Sequence, residues 1–437
     1  MPPVKKSLAK AYDLSLSKPS LSFSACMGES FRQTVAGIFS NPAMTTELML
    51  EGHLASTLAR AASSSGNYLI VAQDTTYYNY SGHKQMEGLG VIQGNIRGIM
   101  QHNCLLMNEL GYPLGLLDQQ YWTRKGGKDF AGKESLKWTN GLKTVNKHLG
   151  TNAKKVVLVQ DREADIFDFF KAERGAAVEL LVRVYQARHL EVLSSGVLAK
   201  LDTIGEHLTD FGTKQVVIQR NHKEVQLTLA LKGGAVNVLT DNLANAATLQ
   251  TQGLSLVIAE EIACVEVQTG ANVFKEEEKA IWHLLTSLPV DNQADVERVV
   301  HFYSLRWRIE RFHYTLKSGA LSVEKLQFDD LHSTLNALSF YSVVAWQLLA
   351  LTYFIREEPD APATSFFEVG EIELLQKETN KVIKTVKEAV LALVKIVGFA
   401  PTKKQPLPGV KILTQALERF YFMKRGAMLS KAKPLQD

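Results

Sequence analysis

The chain has 437 residues, more than a usual single domain, which predicts two or three domains with ample hydrophobic core. Hydrophobic residues make up 46% and charged residues 22% of it, and its net charge of +4 permits a nucleic-acid partner without requiring one. Its three cysteines (Cys26, Cys104 and Cys264) are scattered, which argues against a disulfide framework or a zinc site and favours a reducing, cytoplasmic location.

The N-terminal part of the chain is predicted to be helical as far as residue 66, with an amphipathic run from about Thr45 to Ala62. A short Ser/Gly break follows it. The next segment, Tyr68–Ala72, is a short apolar run that predicts a buried strand ending at Asp74. Two more strands are expected at about His102–Met107 and Leu114–Trp122.

The same pattern of a buried strand followed by an aspartate occurs a second time. A helix is predicted from about Lys133 to His148, and the apolar run Lys155–Val159 then leads to Asp161. A helix over 164–172 and a strand over Val178–Val184 complete this part. Either aspartate is also explained by an ordinary turn or helix cap, because Asp is common at both.

The second half of the chain changes character twice. Short alternating segments between about 185 and 289 predict a β-rich block, and helices dominate from about Ala294 onward. The stretch Leu335–Ile355 has no charge and is long enough to span a bilayer. Polar residues such as Asn336 and Ser339 interrupt it, so a buried core helix is the better interpretation.

The helix predicted over 303–317 carries four polar side chains on one face. Arg306, Glu310 and Lys317 follow Tyr303 by 3, 7 and 14 residues, which at about 100° per residue places all four within an arc of roughly 60°. A carboxylate between two cations and a phenol suits a metal ion and phosphate oxygens. A solvated charged face is the plainer explanation of the same pattern.

Two strand-end aspartates and a helical glutamate are together the ligand set that two-metal phosphodiester chemistry needs. Carboxylates from separate elements can hold two divalent ions that act on the attacking and leaving oxygens. Mg²⁺ prefers hard carboxylate oxygens and retains several waters, so two or three acids suffice.

These motifs resemble those of the bacterial cut-and-paste transposases of the insertion-sequence 4 family. The Y-x2-R-x3-E-x6-K spacing of the helix is similar to the YREK signature of that family. Gln160–Ile166, around Asp161, resembles its second-aspartate motif, and Asp74-Thr-Thr resembles the first. The resemblance runs from about Lys5 to near the C-terminus.

The resemblance implies an α/β fold in which a ribonuclease-H-like mixed sheet is flanked by helices, with a β-rich insertion and helical N- and C-terminal regions. It implies a catalytic triad of Asp74, Asp161 and Glu310 that holds two Mg²⁺ ions, for which Mn²⁺ can substitute. The activity implied is hydrolysis at the transposon end, hairpin formation and reopening, and attack of the 3′-OH on target DNA.

Five further residues are expected to contact DNA if the resemblance holds. Arg306 and Lys317 would neutralise phosphate charge, and Tyr303 would donate a hydrogen bond. Trp282 matches a tryptophan that stacks on a flipped base, although without the family a core tryptophan is the better reading. Arg183 matches a phosphate-contacting arginine, and a buried ion pair would explain it equally well.

The resemblance also implies a division into regions. These are an N-terminal DNA-end-binding region (1–66), a catalytic core (67–184 and 290–355), a β-rich insertion (185–289) and a basic C-terminal dimerisation region (356–437). Only Lys5, Lys6 and Lys10 precede the amphipathic part, so specific end binding is expected to be weakened or differently built. The expected partners are transposon-end DNA, target DNA and a second copy of the chain, with no membrane.

Two functions remain open from the sequence. The first is an active, Mg²⁺-dependent transposase that works as a dimer. The second is a catalytically silent regulator or inhibitor that binds DNA or the subunits of a related transposase. A more distant third is a ribonuclease-H-like nuclease without strand transfer.

Overall fold

The computed structural model describes residues 2–124, 134–220, 223–239, 253–403 and 405–431. The α-helices in these residues are α1 (Pro2–Ser17), α2 (Phe23–Met27), α3 (Glu29–Phe39), α4 (Thr46–Ser63), α5 (Leu136–Leu149), α6 (Phe167–Phe170), α7 (Gln293–Leu305), α8 (Trp307–Tyr314), α9 (Leu331–Glu357), α10 (Val369–Thr379), α11 (Val386–Lys395) and α12 (Val410–Lys431). The strands are β1 (Tyr68–Asn79), β2 (Gly90–Gln93), β3 (Ile96–Asn108), β4 (Pro113–Trp122), β5 (Lys155–Gln160), β6 (Val178–Val184), β7 (His189–Val192), β8 (Val197–Lys200), β9 (Thr209–Arg220), β10 (Lys223–Val238), β11 (Leu254–Glu266) and β12 (Ile281–Thr286).

The described strands form one mixed sheet. Its order is β2-β3-β1-β5-β6-β12-β11-β10-β7-β8, with β4 paired to β3 and β9 paired to β10. In the first half β3 is antiparallel to β1, whereas β1, β5 and β6 are parallel. This half is the ribonuclease-H-like arrangement, so the predicted fold class is confirmed. The β-rich block continues the same sheet, because β12 pairs with β6.

The first strand is longer than predicted, and Asp74 lies within it rather than at its end. β3 pairs with β1 from Leu69 to Asn79, which satisfies the backbone of the polar second half of the strand. The parallel pairing of β1 with β5 stops at Ala72. Asp74 therefore lies just beyond the point where two parallel strands separate, which is where ligand crevices form in α/β sheets.

Both faces of the central strands are buried, which explains their nearly continuous apolar sequences. Side chains alternate along β1, so that Ile70 and Ala72 join the core cluster that contains α7, α8 and α9, while Leu69 and Val71 join the opposite cluster with α5. Asp74 has the same parity as Ile70 and Ala72. It consequently faces the layer formed by α7 and α8.

The long uncharged segment is the central core helix, α9. Its length and composition would allow it to cross a membrane, but 83% of its most apolar 18-residue stretch is buried inside the protein. Trp346 donates a hydrogen bond to the Pro113 carbonyl, and Asn336 donates to the carbonyls of Phe39 and Met44. These bonds explain how polar residues fit a buried helix, and the core-helix interpretation is confirmed.

Two helices differ from their predicted extents. The helix expected from Lys133 is observed as α5 from Leu136, and its predicted first residue lies outside the described residues. The helix predicted over 164–172 is only a 3₁₀ turn, Arg162–Ala164, followed by the short α6. The C-terminal helices α10, α11 and α12 enclose a third apolar cluster against the end of α9.

Candidate active site

Asp74 is held at the centre of the sheet by β1. Its backbone pairs with Asn103 of β3, and its Oδ1 accepts a hydrogen bond of 2.8 Å from the Thr75 N–H. Its side chain is only 17% exposed. Behind it, helix α5 approaches closely because Gly141 has no side chain; a Cβ there would lie 2.3 Å from the Gln73 amide nitrogen.

Asp161 follows β5, the parallel neighbour of β1. The strand ends at Gln160, and the Asp161 carboxylate caps the next turn by accepting a 2.9 Å hydrogen bond from the Glu163 N–H. It therefore does serve as a cap, as the simpler interpretation expects. Capping occupies one carboxylate oxygen, Oδ1, so it does not exclude a second role.

Glu310 reaches the same place from the helical layer. The predicted single helix over 303–317 is broken at Arg306 into α7 and α8, and it ends in a π-helical turn, Thr315–Gly319. The Arg306 N–H bonds to the Tyr303 carbonyl, a tighter i→i+3 bond that marks the break. The helix still directs Arg306 and Glu310 toward Asp74.

Arg306 is the cation shared by this cluster. One guanidinium nitrogen lies 2.5 Å from Glu310 Oε1, and the other lies 3.7 Å from Asp74 Oδ2. Its own side chain is 16% exposed. One arginine thus bridges carboxylates from the sheet and the helix.

The carboxylates influence one another electrostatically. Burial raises the pKa of Asp74 to about 7; Arg306 opposes this rise, while Asp161 and Glu310 add to it. Burial also raises the pKa of Glu310, against the effect of Arg306 and with a contribution from Asp161. Arg306 alone therefore does not offset the combined effect of burial and of the neighbouring carboxylates on these two acids.

The sequence of this chain matches a known protein family. Residues 117–345, more than half of the chain, match the family described as the transposase DDE domain. The chain belongs to the transposase DDE domain family. The matched stretch contains Asp161 and Glu310, and Asp74 precedes it.

One solved structure similar to this chain is the cryo-EM structure of the piggyBac transposase synaptic complex with hairpin DNA. The TM-score is 0.31 and the sequence identity is 10%. The alignment covers 68% of this chain and 55% of that one, so this chain spans just over half the length of the piggyBac protein.

Asp74, Asp161 and Glu310 have side chains of the kind that binds a divalent cation. They offer hard carboxylate oxygens, the ligands that Mg²⁺ prefers. Burial raises the pKa of both Asp74 and Glu310, and neighbouring carboxylates add to the rise, so a bound cation would favour their ionised forms. Among the described residues no three acidic, histidine or cysteine side chains are already placed as a metal-ligand set. Asp74, Asp161 and Glu310 would hold the ion, with Arg306 yielding some of its contacts.

The two aromatic residues expected to contact DNA pack against each other in the DDE domain. The rings of Trp282 and Tyr303 lie 5.1 Å apart, edge to face, and the residues are 8% and 6% exposed. Trp282 lies on β12, opposite Ala259 of β11. A base could stack on Trp282 only after this pair opened, and the observed geometry matches the core reading of the sequence.

Lys317 and Arg183, the other two cations expected to contact DNA, donate hydrogen bonds to backbone carbonyls. Lys317 Nζ donates to the Tyr77 carbonyl at 2.9 Å and lies 4.7 Å from the Tyr77 ring centre. Arg183 Nη2 donates to the Ile281 carbonyl at 3.1 Å, which joins β6 to β12. Both remain partly exposed, and among the described residues neither makes an ion pair with a carboxylate.

One residue beside the triad was missed at the sequence level. His313 Nδ1 lies 3.8 Å from Asp74 Oδ2, and its Nε2 is 3.0 Å from the Asn103 amide nitrogen. Because an amide NH₂ only donates, Nε2 accepts and the ring proton lies on Nδ1, toward Asp74. Burial lowers the pKa of His313 to about 3, so the ring is neutral. Its position three residues after Glu310, on the same arc of the helix, was the available signal.

The second-aspartate motif contains another acid, and its role is structural. Asp165 is fully buried, and its carboxylate accepts hydrogen bonds from the backbone N–H groups of Tyr185 and Gln186 and from Arg188 Nε, at 2.9–3.0 Å. This cluster fixes the chain where it leaves β6. It thereby positions the segment that follows Asp161.

Proposed function

We propose that this chain is a cut-and-paste DNA transposase of the insertion-sequence 4 family. It would excise a transposable element by metal-dependent phosphodiester cleavage, through a hairpin, and join the 3′-OH ends to target DNA. The observation that carries this proposal is the meeting of Asp74 and Glu310 at Arg306, with Asp161 following the parallel strand next to that of Asp74. Membership of the DDE domain family supports it.

The chemistry follows from what the residues can do. Divalent cations bound by the three carboxylates would supply Lewis acidity at the attacking and leaving oxygens. The carboxylates hold and orient, and Arg306 turns its guanidinium from Glu310 toward a phosphate, which it can bind through two parallel hydrogen bonds. Buried, neutral His313 lies 3.8 Å from Asp74 and adds no positive charge there.

The remaining assignments are part of the same proposal. Lys317 and Arg183, both partly exposed, would exchange their carbonyl partners for DNA phosphates. The region 1–66 would bind transposon ends, and the helices of region 356–437 would join two subunits into a cytoplasmic homodimer that acts on DNA.

The direct test is cleavage of DNA that carries the inverted repeats flanking the gene of this protein, with Mg²⁺ or Mn²⁺. We expect double-strand cuts at the repeat ends by the parent protein and none by Asp161→Ala or Glu310→Ala. Asp168→Ala is the matched control, because Asp168 is an exposed carboxylate on α6 outside the cluster.

The outcomes separate the candidate functions. Cutting by the parent and by Asp168→Ala, but not by the two triad variants, supports the transposase. Binding of the repeats without cleavage in either metal would refute it and favour a silent regulator. Cleavage without joining of the 3′-OH ends to a target plasmid would indicate a nuclease.

A further inference from the structure

Helix α8 carries a second polar face that the triad does not use. Arg308 precedes Glu310 by two residues and Arg311 follows it by one. Their side chains are therefore rotated from that of Glu310 by about 200° backward and about 100° forward around the helix axis. Together with Arg356 of α9 they line a pocket of about 460 Å³. Its other walls come from the start of α12 and from Glu224 of the insertion. The pocket thus lies where the core, the insertion and the C-terminal helices meet.

The positive charge of the three arginines exceeds the negative charge of the acids around them. Among the described residues none of them makes an ion pair with a carboxylate, and Glu224 is the one acid that lines the pocket. Burial raises the pKa of Glu357, and the nearby Arg308 and Arg356 oppose this rise only in part. Burial, followed by Arg308 and Arg311, lowers the pKa of Arg356. The guanidinium groups therefore repel one another across the pocket.

The arginines are held in place by contacts that leave hydrogen-bond donors unused. Arg308 lies 4.0 Å from the Tyr353 ring centre, and its Nε is buried without a hydrogen-bond partner. Arg311 lies 4.7 Å from the Tyr314 ring centre. Stacking on an aromatic ring orients a guanidinium while its N–H groups stay free. An unpaired buried donor is costly unless a ligand satisfies it.

We propose that this arginine pocket binds a backbone phosphate of the DNA substrate, away from the bond that is cut. Planar guanidinium groups suit phosphate oxygens, which they bind through paired hydrogen bonds. The pocket and Glu310 share one short helix, so a strand held here is fixed relative to the triad. This inference rests on the proposed function, because that function supplies the DNA.

Arg311 is the residue to change. Arg308 fills space against Tyr353, and Arg356 bonds to the carbonyls of Thr352 and Pro408, so replacing either endangers the fold. Arg311→Gln removes the charge, and Arg311→Lys keeps it without the paired geometry. Lys143→Gln is the control, because it removes one exposed charge from α5, outside the pocket.

The first measurement is the dissociation constant for a duplex as a function of salt. We expect Arg311→Gln to bind about tenfold more weakly at low salt, equally for repeat-end and scrambled duplexes, with the salt slope reduced by about one. Arg311→Lys should recover part of the affinity. Lys143→Gln should match the parent.

The second measurement is the rise in melting temperature with inorganic phosphate. A saturable rise in the parent and in Lys143→Gln that is absent in Arg311→Gln supports the pocket as the phosphate site. Identical salt slopes for Arg311→Gln and the parent, in a protein that cleaves DNA, would overturn the inference and leave the proposed function intact. If the parent binds no DNA, the proposed function fails. A phosphate effect that the parent shows and Arg311→Gln lacks would then assign the pocket to a free phosphate compound instead.

Discussion

Asp74→Asn should stabilise the metal-free protein while it abolishes cleavage. The buried carboxylate has a pKa of about 7, well above its ordinary value of 3.8. A group whose pKa is raised by folding contributes stability that is complete below pH 4 and is lost as pH rises through 7. Asparagine has no charge to bury and keeps an acceptor for the Thr75 N–H.

The size of this effect follows from the two pKa values. Ionising Asp74 in the folded protein costs about 0.6 kcal/mol at pH 4 and about 4 kcal/mol at pH 8, relative to the unfolded chain. The advantage of Asp74→Asn in free energy of unfolding should therefore grow by about 3 to 4 kcal/mol between these pH values. Sites built for function commonly reduce stability in this way.

The assay is urea unfolding in EDTA at pH 4, 6 and 8. Asp168→Asn, which changes an exposed carboxylate, should show no comparable growth. Added Mg²⁺ should reduce the difference in free energy of unfolding between Asp74→Asn and the parent at pH 8, because it binds the folded parent and not the variant. A difference between Asp74→Asn and the parent that stays constant from pH 4 to pH 8 would refute this reasoning.

Three other changes test buried side chains elsewhere in the fold. Burial lowers the pKa of His53 to about 3, so the parent should lose about 2 kcal/mol of stability between pH 7 and pH 5 that His53→Gln retains; equal losses in urea unfolding would contradict this. Trp282→Ala should destabilise the protein by about 3 kcal/mol, measured by thermal unfolding, whereas Trp282→Phe should cost much less; a near-neutral alanine variant would show that Trp282 is not packed as described. Asp165→Asn should cost about 3 kcal/mol by leaving Arg188 buried and unpaired, and an unchanged urea midpoint would argue against the cluster.

The sequence predicted the elements that carry the triad well, because their signals are local. The apolar runs before Asp74 and Asp161 are buried strands, and the uncharged stretch of α9 is a core helix. Burial on both faces requires a continuous apolar segment, and such segments are recognisable without tertiary information.

The differences arise where tertiary contacts decide. β1 continues past Asp74 because β3 pairs with it, and the pairing partner is distant in sequence. The break at Arg306 was not predicted, since the apolar pattern continues through it. His313 has no motif of its own, and its proximity to Asp74 depends on the packing of α8 on the sheet. The Trp282–Tyr303 pair likewise joins two elements that only the fold brings together.

The central claim is that Asp161 and Glu310 act as one catalytic centre, and a double-mutant cycle tests it most directly. Single-turnover cleavage rates would be measured in Mg²⁺ for the parent, Asp161→Asn, Glu310→Gln and the double variant. When two residues act as a unit, replacing either one removes the contribution of both to the cleavage rate. The double variant should therefore be about as slow as either single variant. Single variants that cleave at the parent rate, or a double variant slowed by the product of the two separate losses, would contradict the account.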